Sequence, residues 1–401
     1  MKLERKRLGD VCDFVRGPFG GSLKKDIFKK IGYAVYEQQH AIYDQFDEIR
    51  YYIDEDKFNE MKRFELAPDD LIMSCSGTMG KIAIVPKNIK KGIINQALLK
   101  LTPSDKLSGN YLKLWMQSSI FQESLKEHSQ GATIQNVASV AILKKIEINL
   151  PSLPDQKRIV EILNQAESLL TQRQQSIDLL NEFLKSTFVE MFGDPVRNEK
   201  GWVKQKLKDI CLIRRGASPR PINAFIGGQV PWIKIGDGTK GNELYITETK
   251  VHITEEGAQK SVKLNKGALI FANCGVSLGF ARILAIDGCI HDGWLSFSDL
   301  DKNINQLFLL KLINHITVHL RSLAPGGTQP NLNSSIMGNF EIIIPPIELQ
   351  IKFATIAEKI ETIKIQYQQS LTELQNMYGV LSQKAFKGEL NVKEAKIKEK
   401  V

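Results

Sequence analysis

Residues 155–192 read DQKRIVEILNQAESLLTQRQQSIDLLNEFLKSTFVEMF, and this stretch decides the fold. It contains no glycine and no proline, whereas Gly193 and Pro195 follow it. An aspartate at the start and a glycine and a proline after the end are usual helix signals. Apolar residues recur in steps of three and four, which predicts one helix with a heptad stripe that Arg173 interrupts. At 1.5 Å per residue the helix would be roughly 57 Å long, and its apolar stripe requires a partner.

The partner lies in a second copy of the same pattern. Residues 8–17, LGDVCDFVRG, match residues 207–216, LKDICLIRRG. Residues 148–156, INLPSLPDQ, match residues 342–350, IIIPPIELQ, and the long helix then returns over residues 350–386. Repetition at a fixed spacing indicates that one structural unit, here of about 195 residues, is used twice.

The repeat predicts the fold class. Each unit is expected to be a mixed domain with a curved sheet and a few helices, followed by its long helix. Only residues 193–201 separate the first helix from the second domain, so the second helix must run back antiparallel to bury its stripe. The prediction is α+β, with two similar domains joined by a long antiparallel two-helix coiled coil in a pseudo-twofold repeat. The predicted segments are 1–152 (first domain), 153–194 (first helix), 195–346 (second domain), 347–390 (second helix) and 391–401 (charged tail).

The residues expected between the two helices share the heptad spacing. On the first helix they are Ile159, Leu163, Leu170, Ile177, Leu180 and Leu184, and on the second Phe353, Ile360, Tyr367, Leu371, Leu374 and Leu381. Arg173 and Tyr367 stand at equivalent positions of the repeat. A polar residue there could fix the register, or Arg173 could simply extend its charged head to solvent.

Composition limits the class of protein. The chain has 401 residues, 42% apolar and 25% charged, with a formal net charge of +9. A basic excess suits a polyanionic partner but is also common in proteins without one. Five cysteines without a C-x-x-C spacing indicate neither a disulfide framework nor a zinc module. The start of the chain lacks a signal peptide's apolar core, and no apolar run approaches the ~18 residues of a membrane span, so we expect a cytoplasmic protein.

Familiar catalytic patterns are absent from the sequence. There is no Walker loop, no Gly-x-Gly-x-x-Gly, no Gly-x-Ser-x-Gly and no Asn-Pro-Pro-Phe-like tetrapeptide of an adenine methyltransferase. His315 and His319 have an i, i+4 spacing, but no glutamate follows His315 as in a zincin, so an ordinary helix face is favoured. We therefore predict no catalytic residue, no metal site and no cofactor on this chain.

The interiors of the two units differ although their scaffolds match. Residues 17–45 barely resemble residues 216–243, which suggests two readers of different duplex half-sites. Glutamine suits base edges, while lysine and arginine suit phosphates. Any one of these side chains could instead be an ordinary solvated residue. The candidate DNA contacts are Lys24, Lys25, Gln38, Gln39, His40, Ser76, Thr78 and Lys81 in the first domain and Arg214, Arg215, Arg220, Lys234 and Lys240 in the second.

A glycine-containing loop leaves two interpretations open. Residues 76–81, SGTMGK, could present backbone amides and Lys81 to a phosphate, or could be a β-turn that merely uses glycine. The counterpart at residues 273–279, NCGVSLG, lacks the lysine. We therefore assign no DNA contact to that second loop.

The order of these motifs resembles the specificity (S) subunits of type I restriction–modification enzymes. The similarity rests on the helix starts at 150–156 and 344–350, on MFGDP at 191–195, on QKAFKGEL at 383–390 and on SGTMG at 76–80. The resemblance implies two target-recognition domains, each reading half of an asymmetric bipartite site in double-stranded DNA. Its paired helices would set the spacing and dock two methyltransferase (M) subunits.

The resemblance also implies a division of labour. Restriction (R) subunits would complete the assembly, and S-adenosylmethionine, ATP and Mg would be bound by partner subunits. This chain would then direct adenine methylation and restriction without catalysing either reaction. Two alternatives stay open: the recognition subunit of a type II-like methyltransferase–nuclease, and a coiled-coil scaffold whose end domains bind proteins.

Overall fold

The computed structural model describes residues 3–76, 78–129, 140–239, 244–275, 277–324 and 330–391. The chain divides into two compact units. Unit 1 comprises Met1–Gln174 and Gln369–Val401, and unit 2 comprises Gln175–Gln368. No helix within the described ranges is long and apolar enough to cross a membrane.

Unit 1 is built from short strands and helices that precede the first long helix. Its strands are β1 (Glu4–Arg7), β2 (Cys12–Arg16), β3 (Tyr33–Tyr36), β4 (Tyr51–Ile53), β5 (Leu71–Ser74), β6 (Ile82–Ile84), β7 (Gly92–Ile94), β8 (Leu98–Pro103) and β9 (Glu147–Leu150). Its helices are α1 (Leu8–Val11), α2 (Gln38–Tyr43), α3 (Glu55–Glu60), α4 (Gly109–Gln117), α5 (Ser119–Ser129), α6 (Val140–Lys145) and the start of α7 (Leu153–Phe192).

Unit 2 follows the same plan. Its strands are β10 (Lys204–Lys206), β11 (Leu212–Arg215), β12 (Ile226–Ile233), β13 (Tyr245–Ile246), β14 (His252–Ile253), β15 (Val262–Leu264), β16 (Leu269–Ala272), β17 (Ala281–Leu284), β18 (Gly288–Ile290), β19 (Trp294–Ser298) and β20 (Glu341–Ile343). Its helices are α8 (Leu207–Ile210), α9 (Glu255–Gln259), α10 (Gln306–His315), α11 (Thr317–Leu323), α12 (Ser334–Asn339) and the start of α13 (Ile347–Lys387).

Every strand of unit 1 has a counterpart at the same place in the sheets of unit 2. Unit 1 has the orders β1-β9, β2-β8-β5-β6 and β4-β3-β7, and unit 2 has β10-β20, β11-β19-β16-β17-β13 and β14-β12-β18-β15. In both units one pair is parallel at the same place, β3 with β7 and β12 with β18. Unit 2 adds β13 and β15 at sheet edges. The predicted internal repeat of an α+β unit is therefore confirmed.

The central strands show why the sheets form. Every residue of β5 and of β16 is buried, as expected for a strand covered on both faces. Close backbone approach is also required, because a Cβ on Gly92 would lie 2.2 Å from the carbonyl oxygen of Ala34 on the paired strand. The equivalent Gly288 lies beside the carbonyl oxygen of Pro231, 2.9 Å from an added Cβ.

The two long helices run antiparallel within each unit. In unit 1 the start of α7, with Ile159 and Leu163, shares a core with Phe386 near the end of α13. In unit 2 the end of α7 shares a core with the start of α13, where the ring centroids of Phe192 and Phe353 are 5.4 Å apart. The prediction of a long antiparallel helix pair is thus confirmed.

All residues predicted for the helix interface are buried or half-buried. Those fully buried are Ile159, Leu163, Ile177, Leu184, Phe353, Ile360 and Leu371. Those half-buried are Leu170, Leu180, Tyr367, Leu374 and Leu381.

One glutamine anchors the start of each long helix to its domain. Gln156 is fully buried; its Oε1 accepts the Ser108 N–H at 2.8 Å. Its Nε2 donates to the carbonyl oxygens of Lys106 (2.8 Å) and Pro151 (3.0 Å). Gln350 repeats all three bonds in unit 2, with the Asn305 N–H and the carbonyl oxygens of Asn303 and Pro345. Each of the two matching glutamines thus uses both its side-chain oxygen and its side-chain nitrogen to fix the start of its long helix.

We expect Gln156→Ala to destabilise unit 1 by about 3 kcal/mol, because it leaves three buried backbone groups without their partner. Urea unfolding, with hydrogen exchange at the amides of unit 1, measures the change. The matched control is Gln165→Ala, an exposed position on the same helix; there we expect a change within about 0.5 kcal/mol. Equal stability of the two variants would contradict the role assigned to Gln156.

Candidate nucleic-acid interface

Four loops meet at one place in each unit. They follow β2, β3, β5 and β7 in unit 1 and β11, β12, β16 and β18 in unit 2. The same backbone hydrogen bonds join them. In unit 1 the Asn95 N–H donates to Tyr36 O at 2.9 Å and the Cys75 N–H to Ala97 O at 2.8 Å. In unit 2 the equivalent bonds run from His291 to Ile233 (3.0 Å) and from Asn273 to Gly293 (2.9 Å).

Two glycines allow the first loop to touch the fourth. A Cβ on Gly17 would lie 1.9 Å from the carbonyl oxygen of Asn95, and one on Gly216 would lie 2.2 Å from that of His291. No side chain fits at either position without movement of the backbone. The sequence repeats the RG dipeptide, at Arg16-Gly17 and at Arg215-Gly216. These dipeptides therefore mark the same arrangement of four loops, the frame, in both units.

In unit 1 the frame presents mainly uncharged polar side chains. Gln38 and Gln39 are half-buried at the start of α2, and the Ser76 hydroxyl donates to Gln38 Oε1 at 3.0 Å. Thr78 and Lys24 are exposed. The side chain of Lys25 lies outside what the structure describes.

A buried serine, Ser74, bonds to two described residues of the SGTMGK segment. Ser74 donates its hydroxyl hydrogen to Thr78 O at 2.6 Å and accepts the Lys81 N–H at 3.0 Å. This turns the backbone N–H of Lys81 inward, away from any phosphate. The exposed Lys81 side chain lines a cleft of about 420 Å³ together with Asp44, Lys113 and Glu167. A side-chain contact of Lys81 with DNA stays a proposal.

The structure corrects the assignment of His40 as a base-reading residue. His40 is 1% exposed, and its Nδ1 accepts the Glu37 N–H at 2.9 Å. Its Nε2 donates to Glu48 O at 3.0 Å. Both ring nitrogens are thus occupied inside the protein. In unit 2 Asp237 has the same role, accepting the Lys234 N–H at 2.8 Å, so the position closes a turn in both units.

In unit 2 the predicted residues are cationic. Burial lowers the pKa of the nearby His291, and the charges of Lys234, Arg220 and Arg215 lower it further. Arg214 is exposed on the neighbouring position of β11, and alternation along a strand turns it to the other face. Lys240 lies outside the described residues.

Asp292 contacts Arg215 and His291, and sequence reasoning missed it. Its Oδ1 accepts the Ser218 hydroxyl at 2.6 Å and lies 3.0 Å from His291 Nε2. Its carbonyl oxygen accepts Arg215 Nε–H at 2.9 Å, and its Oδ2 lies 4.0 Å from Arg215 Nη2. His291 Nδ1 accepts the Gly293 N–H at 2.9 Å, which leaves the ring proton on Nε2 facing the carboxylate.

The charges of this network follow from its contacts. Burial raises the pKa of the Asp292 carboxyl, but Ser218, His291 and Arg215 more than offset it and hold that pKa below its usual range. Burial lowers the pKa of His291, as do Lys234, Arg220 and Arg215, against the opposing effect of Asp292. At neutral pH the pair is therefore an ionised carboxylate beside a neutral imidazole.

Two further exposed residues escaped the sequence analysis. Phe19 is 93% exposed in the loop after β2, and Arg16 ends β2 at the position equivalent to Arg215. For Asp292, the sequence did offer a signal: residues 91–100, KGIINQALLK, align with residues 287–296, DGCIHDGWLS. It places Asn95-Gln96 opposite His291-Asp292.

The comparisons with known proteins agree on one family. The family model for the type I restriction–modification DNA specificity domain matches residues 2–180 and again residues 199–376. The specificity subunit of the type I restriction enzyme MjaIX from Methanocaldococcus jannaschii is 24% identical over 347 residues, which cover 81% of this chain and 78% of that protein. The HindI specificity subunit from Haemophilus influenzae is 30% identical over 186 residues, 44% of this chain and 40% of that protein.

Solved structures show the same fold. The crystal structure of a type I restriction–modification S subunit from M. genitalium has a TM-score of 0.54 at 16% identity and covers 96% of each chain. A chain from a structure on complex assembly and conformational transition of the type I restriction–modification system has a TM-score of 0.65 at 15% identity, covering 97% of this chain and 98% of the other. The chain therefore belongs to the family of type I restriction–modification specificity subunits, and its role is the recognition of DNA sequence.

Proposed function

We propose that each unit reads one half of a bipartite, asymmetric site in double-stranded DNA, and that the chain directs adenine methylation and restriction by partner subunits. One observation carries the proposal: the same frame of four loops occurs twice and carries different side chains. A shared frame provides the same mode of approach to DNA, whereas different side chains select different bases.

The chemistry of the two frames supports different half-sites. In unit 1 the proposed contacts are Lys24, Gln38, Gln39, Ser76, Thr78 and Lys81, to which we add Arg16 and Phe19. Glutamine pairs well with adenine, and an exposed phenylalanine can contact a thymine methyl group or enter between bases. In unit 2 they are Arg215, Arg220 and Lys234, and arginine suits guanine or phosphate. Arg214, on the other face of β11, stays a separate prediction.

Selection from a random duplex library tests this proposal. The chain is assembled with its methyltransferase partner, and bound duplexes are sequenced. We expect two short defined blocks of different sequence, separated by an undefined gap of fixed length. Enrichment of one continuous block, or of two identical inverted blocks, would contradict two independent readers.

We propose that the partners are two M subunits, with R subunits completing the assembly in the cytoplasm. The methyltransferase and nuclease activities, with S-adenosylmethionine, ATP and Mg, would lie on those partners. Support comes from exposed apolar residues that repeat on the long helices. Leu169 (48% exposed) and Ile363 (37%) occupy equivalent positions of the repeat, as do Phe183 (56%) and Met377 (42%).

We propose that these residues form one apolar patch in each unit. Leu169 and Met377 belong to unit 1, and Ile363 and Phe183 to unit 2. Exposed apolar side chains on otherwise polar helix faces are typical of protein-binding surfaces. Because the two patches are equivalent, they suit two copies of one partner, as two M subunits would be.

Leu169→Glu with Met377→Glu is expected to weaken binding of one M subunit by about tenfold or more, because each change places a charge in the proposed apolar contact. Native mass spectrometry would then show a complex with one M subunit instead of two. The matched control, Gln165→Glu with Gln375→Glu, adds the same charge at other exposed positions of unit 1. Retention of both M subunits by the patch variant would contradict the assignment.

A further inference from the structure

The loops of unit 2 contain a charged network centred on Asp292, a position that Gln96 occupies in unit 1. Asp292 contacts the Ser218 hydroxyl and the Arg215 guanidinium, both from the segment at the end of β11, and the ring of its own neighbour His291. In unit 1 Arg16 stands at the position equivalent to Arg215, and Gln96 occupies the position of Asp292, which removes the carboxylate there.

The contacts hold Arg215 in one orientation. The Nε–H of Arg215 donates to Asp292 O, and Nη2 lies on the side of the carboxylate. The side chain nevertheless remains 51% exposed. A guanidinium has five N–H donors, and the single hydrogen bond described here uses one of them. The anchored edge faces the protein, which leaves the other edge for an acceptor outside it.

The carboxylate is itself fixed before any ligand arrives. Ser218 holds Oδ1 from the first loop, and His291 approaches the same oxygen from the fourth loop. The imidazole cannot turn freely, because its Nδ1 accepts the Gly293 N–H. A long flexible side chain normally loses rotamer freedom on binding, whereas a side chain that is already held in one orientation loses less.

Resting on the proposed function, we infer that Asp292 is the positioning residue of the second reader: it presents Arg215 to one base acceptor in the half-site read by unit 2. The Asp292 carboxylate does not touch DNA in this account. It acts through Arg215, and Ser218 and His291 keep it in place.

A double-mutant cycle tests the inference. Duplexes with single-base changes in each half-site of the selected sequence are titrated with the complex of chain and M subunits. Asp292→Asn is expected to reduce discrimination at one position of the unit 2 half-site by about tenfold, and to leave the unit 1 half-site unchanged. In an Arg215→Lys background, Asp292→Asn should have little further effect, because the carboxylate acts only through the Arg215 guanidinium.

The outcomes separate the possible failures. Additive effects of the two substitutions, or equal losses in both half-sites, would overturn the positioning role and leave Asp292 a structural residue. Ser218→Ala, a milder change, should weaken the same position by a smaller factor even if Asp292→Asn fails to fold; no effect there would also overturn it. A wild-type complex without a bipartite motif would instead overturn the proposed function itself.

Discussion

Exchanging residues 17–45 for those of a related specificity subunit with a known half-site is expected to change one half of the recognised sequence and leave the other unchanged. This segment carries Lys24, Gln38 and Gln39, and all of it belongs to unit 1. The network of Arg215 and Asp292 lies in unit 2 and is untouched by the exchange. Each base contact replaced should alter discrimination by about 1–3 kcal/mol, which is roughly fivefold to 150-fold.

The exchange must keep the residues that hold the frame. Ala34 and Tyr36 are fully buried, and the Tyr36 hydroxyl donates to Lys90 O at 2.5 Å. The reciprocal exchange of residues 216–243 is the matched control, and it should change the second half only. Methylation sites in cells carrying each hybrid provide the measurement. A change in both halves from either exchange would contradict independent reading.

Inserting one heptad into each long helix is expected to lengthen the gap between the half-sites by up to ~3 base pairs. Seven residues add about 10.5 Å to a helix, and base pairs rise by about 3.4 Å. The continuous helices α7 and α13 both pass from one unit to the other, so the insertions belong at residues 174–175 and 368–369. A whole heptad keeps the apolar stripe in phase.

The control for this prediction inserts the heptad into one helix only. The two helices would then differ in length, and pairing such as that of Phe192 with Phe353 would be lost in one unit. We expect no active complex from that variant. An active complex with both insertions and an unchanged gap would show that the helices do not set the spacing.

The sequence alone was sufficient to predict those parts of the fold in which residues recur at a regular spacing. The heptad steps predicted the helix pair, and the matching of Gln156 with Gln350 located the start of each long helix. These features repeat because packing and buried hydrogen bonds constrain them. The spacing of apolar residues does not predict where the side chains of loops lie, because their positions depend on which segments of the chain meet in the fold.

His40 and Asp292 illustrate what the sequence could not supply. His40 has the chemistry of a base-reading residue, but its burial depends on Glu37 and Glu48, and only the folded chain brings all three together. Asp292 is one acidic residue among many, and its contact with Ser218 joins positions 74 residues apart. The residues of the candidate interface can therefore be identified only from the folded structure.

Methylome sequencing of cells that carry this chain with its M partner tests the central claim most directly. Two readers at a fixed spacing should give adenine methylation in one motif with two different defined blocks and a gap of fixed length, and that motif should be lost when this chain is deleted. A single continuous motif, a palindrome of two identical blocks, or a motif that persists without this chain would contradict that claim.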